Sequence, residues 1–353
     1  MASIKDVAEK AGVSISTVSN VINGKRWVSS ELTDKVQKAV RELNYEADLV
    51  ARSLKNNRTM TIGVIITSLS RIFIPQVLNG MQKSAEEHGF HLLIYATNDD
   101  FESERKYLQI LINSKVDGII IDTVADIGDE EYYKGLSALH KGNKRIPVVS
   151  IERNLSKYSV YSIYADNVKG ALLATEHLIE CGCRDIAHIS GPGAIEMVLY
   201  RTKGYQKALE RNGLKVQEGC TVEGDFSPLS GYRAVKRLIE DGIVFDGIFA
   251  DNDQMAIGAI KALREYDIKI PEKVKIVGFD NTFVSSIVRP SLSTINVPKY
   301  RMGWEAAEKL CGMIDDEEKH RAWRDQSLEL VTSLLVREST SGKNAENWDL
   351  EGW

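Results

Sequence analysis

Residues 4–22 read IKDVAEKAGVSISTVSNVI, and this stretch decides how the chain begins. Ile4, Val7, Ala8 and Ala11 recur at helical spacing and give a first helix one apolar face. Gly12 follows, where a chain can turn without a Cβ penalty. Val13 is placed to plug the corner, and Ser14 stands where an N-cap belongs. A second helix over 15–22 buries Val18, Val21 and Ile22, while Ser16, Thr17 and Asn20 face the other way beside Ile15. A helix that small and polar on one face can lie in a DNA major groove and reach base edges.

Any helical hairpin shows such spacing, so the flanks matter. Asn23-Gly24 is a turn signal, and Lys25, Arg26 and Trp27 set a basic pair beside an aromatic. Ser30 is expected to cap a third helix, with Glu31 in its first turn and Leu32, Val36, Ala39, Val40 and Leu43 as its buried stripe. Three short helices make a compact all-α head. Its candidate DNA contacts are Ser14, Ile15, Ser16, Thr17 and Asn20, with Lys25 and Arg26 nearby.

The formal net charge of −5 looks wrong for a nucleic-acid binder. Its distribution answers the objection. Residues 1–58 carry ten Lys/Arg and seven Asp/Glu, a balance of +3, and the remainder is left with 35 basic and 43 acidic residues, or −8. A basic head on an acidic body is expected when only the head meets phosphates. No apolar run follows Met1 and no stretch is long enough to span a bilayer, which predicts a cytoplasmic protein without signal peptide or membrane segment. Cys181-Gly182-Cys183 lacks a second ligand pair at zinc-like spacing, so no metal or other cofactor is expected and the thiols read as reduced. The six histidines form no H-x-x-x-H and flank no nucleophile elbow. Neither a P-loop nor G-x-G-x-x-G is present, which argues against an enzyme.

The run IKDVAEKAGVSISTVSNVING over residues 4–24 resembles the N-terminal signature of the lactose-repressor (LacI/GalR) family, and Ala51-Arg52-Ser53-Leu54-Lys55 resembles that family's hinge helix. Later motifs extend the likeness over nearly the whole chain. Arg201 opens R-T-K-G-Y, similar to the family's R-x-x-G-[FYW]. Asp251-Asn252-Asp253-Gln254-Met255-Ala256-Ile257-Gly258 is similar to A-N-D-x-M-A-x-G, and Gly278-Phe279-Asp280-Asn281 to G-[FY]-D-[ND]. The hinge, too short to be stable alone, would form against its copy in a second subunit within a minor groove. Leu54 would then wedge between base pairs, with Arg52 and Lys55 near phosphates.

From Thr61 onward, β-branched runs alternate with helical stretches. Strands are expected at 62–66, 91–95, 117–121 and 147–151, with helices at 75–88, 102–113 and 131–140 between them. The alternation restarts with strands at 160–164, 185–190, 245–250 and 274–279 and helices at 168–181, 201–212, 230–241 and 254–266. Two α/β halves in tandem predict two lobes with parallel sheets and a cleft between them. The resemblance implies a periplasmic-binding-protein-like body crossed three times by the chain. The expected organisation is a helix-turn-helix domain over 1–46, a hinge over 47–59, and a body over 60–338. Lobe 1 would hold 60–159 and 291–325, lobe 2 would hold 160–290 and 326–338, and 339–353 would be a polar tail. Leucine heptads are absent from that tail, which favours a homodimer.

Ligands in open α/β sheets sit beyond the carboxyl ends of the strands. That rule selects Asp122, Glu152, Arg201, Asn252 and Asp280, with Phe73 and Phe226 as covers for an apolar sugar face. Asp280 would accept from vicinal hydroxyls, Arg201 would donate in a fork, and Asn252 can do both. Each also has a structural alternative: Asp280 as a turn cap, Asn252 as the cap of the helix beginning at Asp253, Arg201 as a partner of an acid between lobes. The apolar run 194–198, read as a loop, argues against a nucleobase. The expectation is a dimeric repressor that binds a palindromic operator in a carbohydrate-utilisation operon and is released by a sugar. The rival readings are a co-repressor-dependent regulator, a solute-binding protein without gene control, and an activator.

Overall fold

The computed structural model describes residues 2–23, 27–45 and 58–342. The chain divides into two compact units, 1–59 and 60–353.

In the first unit, α1 (Ile4–Ala11) opens with a capping box between Ser3 and Asp6 and ends on Gly12 at φ +65°. Helix α2 (Ile15–Asn23) follows, with Ser14 Oγ accepting from the Thr17 N–H at 3.1 Å. Helix α3 (Ser30–Glu42) packs across both. Val7, Ala8, Val18, Val36 and Ala39 form the core, flanked by Ile4, Ala11, Val13, Val21, Ile22, Val40 and Leu43. One cap differs from expectation. The Ser29 carbonyl already accepts from the Thr33 N–H, so Ser29 is the N-cap of α3 and Ser30 its first helical residue; the Ser29 side chain makes no cap bond.

The second unit holds two six-stranded sheets. The first is built from β1 (Thr61–Ile66), β2 (His91–Ala96), β3 (Gly118–Ile121), β6 (Val148–Ile151), β7 (Tyr161–Ala165) and β13 (Ser327–Leu330), in the order β13-β7-β6-β3-β1-β2, all parallel. Strands β8 (Ile186–Ser190), β9 (Thr221–Glu223), β10 (Gly247–Ala250), β11 (Lys275–Asp280), β12 (Ser293–Asn296) and β14 (Ser333–Leu335) form the second, in the order β14-β12-β11-β10-β8-β9. Only its β12–β14 pair is antiparallel. The central strands are buried along nearly their whole length, as expected where helices cover both faces of a parallel sheet.

The lobe boundaries differ from expectation. Residues 161–165 belong to the first sheet, because Tyr161, Ser162 and Ile163 pair with Val149, Ser150 and Ile151. Residues 293–296 belong to the second, paired with 277–280. The segment 326–338, expected to lie in lobe 2 alone, holds two strands in different sheets, Ser327–Leu330 beside β7 and Ser333–Leu335 beside β12. The chain therefore passes between sheets after β7, after β12 and after β13. Strand β9 carries only three residues and escaped the sequence pattern. The helix expected over 131–140 is α6 (Glu130–Ser137); His140–Lys141 and Lys144–Arg145 form an antiparallel ribbon, β4–β5. Nor does the polar tail begin at 339: Glu338–Ser341 is a helical turn with Ser339 and Thr340 buried, and Ser339 Oγ donates to the Ile276 carbonyl at 2.6 Å.

Helix α4 (Ile74–Glu87) crosses the long late helix α12 (Lys299–Asp315) on the first lobe, so residues 299–315 do return there. On the second lobe α9 (Pro228–Glu240) crosses α10 (Asp253–Glu265). Both crossings need glycine. A Cβ on Gly303 would stand 1.8 Å from the Val77 carbonyl oxygen, and one on Gly258 1.8 Å from that of Pro228.

Candidate functional site

The head presents the start of α2. Ser14, Ile15 and Ser16 are exposed, Ile15 at 44%, while Thr17 and Asn20 are half-buried. Ser14 Oγ lies 2.7 Å from Ser16 Oγ and 2.8 Å from Thr17 Oγ1. Capping thus fixes a cluster of three hydroxyls, each able to donate or accept, at one helix end. Trp27 is 90% exposed. Lys25, Arg26, Arg52, Leu54 and Lys55 lie outside the described residues.

In the body, a cavity of about 420 Å³, its open mouth included, lies between the two sheets. Phe73, Asp122, Glu152, Arg201, Phe226, Asn252 and Asp280 all line it. Strand ends deliver most of them. Asp122 follows β3, Glu152 follows β6, Asn252 caps α10 after β10, and Asp280 ends β11. Arg201 comes from α8 (Glu196–Arg211), Phe73 from the start of α4, and Phe226 from the turn after β9. Glu152, Phe226 and Asp280 have φ of +64°, +66° and +102°. Left-handed backbone at non-glycine residues costs on the order of 1–3 kcal/mol each and tends to cluster at ligand sites.

Two guanidinium groups enter the cavity already engaged. Arg201 donates from Nε to Asn167 Oδ1 at 2.8 Å and from Nη1 to the Asp251 carbonyl, and its guanidinium lies 3.9 Å from the centre of the Phe279 ring. The free fork expected of Arg201 is therefore reduced: only Nη2 faces Asp280, 3.7 Å from Oδ1. The Asp251 carboxylate braces this wall by accepting from Gly191 N–H at 2.9 Å and bonding buried His188 at 2.8 Å. Arg71 donates to Thr67 Oγ1 at 3.0 Å and pairs with Asp99 at 2.8 Å. Asn252 is spent on structure, as its structural alternative held: Oδ1 caps α10 by accepting from Met255 N–H, and Nδ2 donates to the Phe226 carbonyl at 3.0 Å.

Three carboxyl groups share this space. Burial pushes Asp122 up to about 6, against the pull of Arg71 and the Thr67 hydroxyl. Burial and the neighbouring charge of Asp122 push Glu152 up to about 8. Burial pushes Asp280 up to about 7, opposed by Arg201. The cavity is thus rich in acceptors and poor in uncommitted donors.

Thr67, Arg71, Ile74, Met197 and Gln254 complete the lining and were missed in the sequence. Thr67 directly follows β1, so the strand-end rule reaches it. Gln254 sits inside the quoted motif. Met197 was hidden by reading 194–198 as a loop, whereas the helix containing Arg201 starts at Glu196. Three contacts join the lobes around the cavity. Ile72 N–H donates to Gln254 Oε1 at 3.1 Å, Arg71 lies 4.8 Å from the Phe226 ring centre, and Arg153 Nε stands 3.4 Å from Glu196.

Among the described residues no helix is long and apolar enough to cross a membrane, and no group of three or more His, Cys, Asp or Glu is placed to hold a metal ion.

Residues 3–48 match the family described as bacterial regulatory proteins, lacI family, and residues 175–340 match the periplasmic binding protein-like domain. The ribose operon repressor of Halalkalibacterium halodurans is 35% identical over 348 residues, covering 98% of this chain and all of that protein. The transcriptional repressor PurR of Pasteurella multocida is 33% identical, with 97% of this chain and all of that protein covered. The lac repressor bound to ONPG in its repressed state superposes with a TM-score of 0.85 at 29% identity, over 96% of this chain and 99% of that one. The chain belongs to the lacI family of bacterial regulatory proteins, whose members are DNA-binding transcriptional repressors controlled by small-molecule effectors, and not enzymes.

Proposed function

We propose that the chain is a cytoplasmic homodimeric repressor of a carbohydrate-utilisation operon, released from a palindromic operator when a small sugar-like effector fills the cavity between the lobes. Ser16, Thr17 and Asn20 read base edges in each half-site, with Ser14 and Ile15 at the entry of the reading helix. Lys25, Arg26, Arg52 and Lys55 neutralise phosphates, and Leu54 wedges the central minor groove. Phe73 and Phe226 cover the apolar face of the ligand, while Asp122, Glu152, Arg201, Asn252 and Asp280 surround its hydroxyls.

The observation that carries this reading is a cavity lined by residues of both lobes. A ligand there changes the relation of the lobes, and it shifts DNA affinity only if it binds one arrangement better than the other. A relative named for the ribose operon supports the sugar class.

Likeness to PurR supports a second reading, in which the ligand tightens DNA binding. Fluorescence anisotropy on a labelled palindrome at fixed salt, against sugars, sugar phosphates and purines, separates the two. Release by a neutral or hydroxyl-rich compound supports induction. Tightening by a purine replaces it with co-repression.

A further inference from the structure

Acidic groups outnumber uncommitted cations around the cavity, and burial holds them toward the protonated form. Arg71 is satisfied by Asp99 and Thr67, and Arg201 by Asn167 and the Asp251 carbonyl, with only Nη2 left toward Asp280. Against these two cations stand Asp122, Glu152 and Asp280. Asp280 is 6% exposed, and its Oδ1 accepts no hydrogen bond. Glu152 Oε1 is likewise buried without a hydrogen-bond donor. Buried carboxyl oxygens without a hydrogen-bond partner are rare, because losing water without a replacement is unfavourable. Both residues line the same cavity.

We propose that the effector carries a cationic amino group on a hydroxylated frame, and that this group sits among Glu152, Asp122 and Asp280. This inference rests on the reading of the cavity as the effector site and narrows the ligand class within it. A phosphate or carboxylate would meet three acids and two occupied arginines. A neutral polyol would hydrogen-bond but would do nothing to favour ionisation of the three acids. An ammonium group supplies the missing donors and a charge that lets the acids ionise.

The pH dependence follows from the groups facing one another. Glu152 faces Asp122, Asp280, Arg201 and Arg71; Asp122 also faces Arg153 and Glu104; Asp280 also faces Asp253, Lys299 and Asp251. The permanent cations among them are engaged in pairs or hydrogen bonds, so the acids carry the titration. With the acids protonated at low pH, an amine gains little. As they ionise, it gains more. Amine affinity therefore rises with pH for as long as the ligand itself stays protonated, whereas a neutral polyol shows no such rise.

The test uses the full chain and matched pairs of probes: D-glucamine against D-glucitol, and tris(hydroxymethyl)aminomethane against pentaerythritol. Binding is followed by isothermal titration and thermal shift between pH 5.5 and 8. The expected result is at least roughly tenfold tighter binding of the amine in a pair, the scale of one charge-assisted hydrogen bond, with affinity rising with pH. Glu152→Gln is expected to remove most of that preference and flatten the slope. A Gln variant that melts as a folded protein but keeps the full preference overturns the assignment. Equal or tighter binding of the neutral members overturns the cationic inference and leaves the effector cavity standing. If no probe of either kind binds, the cationic inference falls, and the anisotropy screen against sugars, sugar phosphates and purines decides the effector reading separately.

Discussion

Glu152→Gln tests the electrostatics of the cavity with no ligand added. The Glu152 carboxyl is pushed from 4.5 up to about 8 by burial and by Asp122. One pKa unit corresponds to about 1.4 kcal/mol, so full ionisation opposes folding by roughly 5 kcal/mol at most. The side chain is only partly enclosed and shares its titration with Asp122 and Asp280, which reduces the figure to about 2 kcal/mol. The sign is fixed by linkage. Below about pH 4.5 both folded and unfolded chains hold the proton, and Glu152 makes no difference. Between 4.5 and 8 the folded chain holds a proton that the unfolded chain has released, so stability falls as pH rises. Above 8 the full penalty is present. Gln keeps the shape and cannot ionise. The variant should match the parent near pH 5 and melt about 4 °C higher at pH 8.5. Scanning fluorimetry of both proteins across that range measures the effect. Parallel curves, or a Gln variant that melts lower at pH 8.5, would refute the argument.

Three further outcomes are expected. Asp280→Asn retains the side chain's shape at φ +102° but should leave a protein that binds operator and needs at least about tenfold more effector for release; unchanged induction in the anisotropy assay removes Asp280 from the site. Thr17→Ala breaks the hydroxyl cluster with Ser14 and should relax base preference at one half-site position by about 1–2 kcal/mol; an unaltered selection profile on randomised operators counts against its reading role. Gly258→Ala drives a Cβ to within 1.8 Å of the Pro228 carbonyl and should destabilise the body by about 3 kcal/mol while leaving the head's core intact; an unshifted melting curve would mean that the α9–α10 crossing yields more easily than its geometry indicates.

What could be read from the chain depended on whether the signal was local. The head was legible because its information lies in adjacent residues: Gly12 turns, Ser14 caps, and Val7, Val18 and Val36 recur on helical faces that meet. The lobe boundaries were not, because sheet membership is a long-range property. The strand at 161–165 looks the same in sequence whichever sheet takes it, and only its register against 149–151 assigns it. The same holds at 293–296 and 327–330.

The cavity lies between these cases. Its residues could be chosen because strand carboxyl ends converge in open α/β sheets, and all seven chosen side chains do line one space. Their individual chemistry could not be chosen in the same way. Arg201 looked like a free donor, and packing spends two of its nitrogens on Asn167 and Asp251. Asn252 looked bifunctional, and the start of α10 and the Phe226 carbonyl use both ends. Glu152 and Asp280 gain weight for the opposite reason, since packing leaves each with a buried oxygen that accepts nothing. On the proposed reading, the groups a ligand would satisfy are those the fold does not use, and that remainder is visible only once every donor and acceptor around the cleft has been assigned.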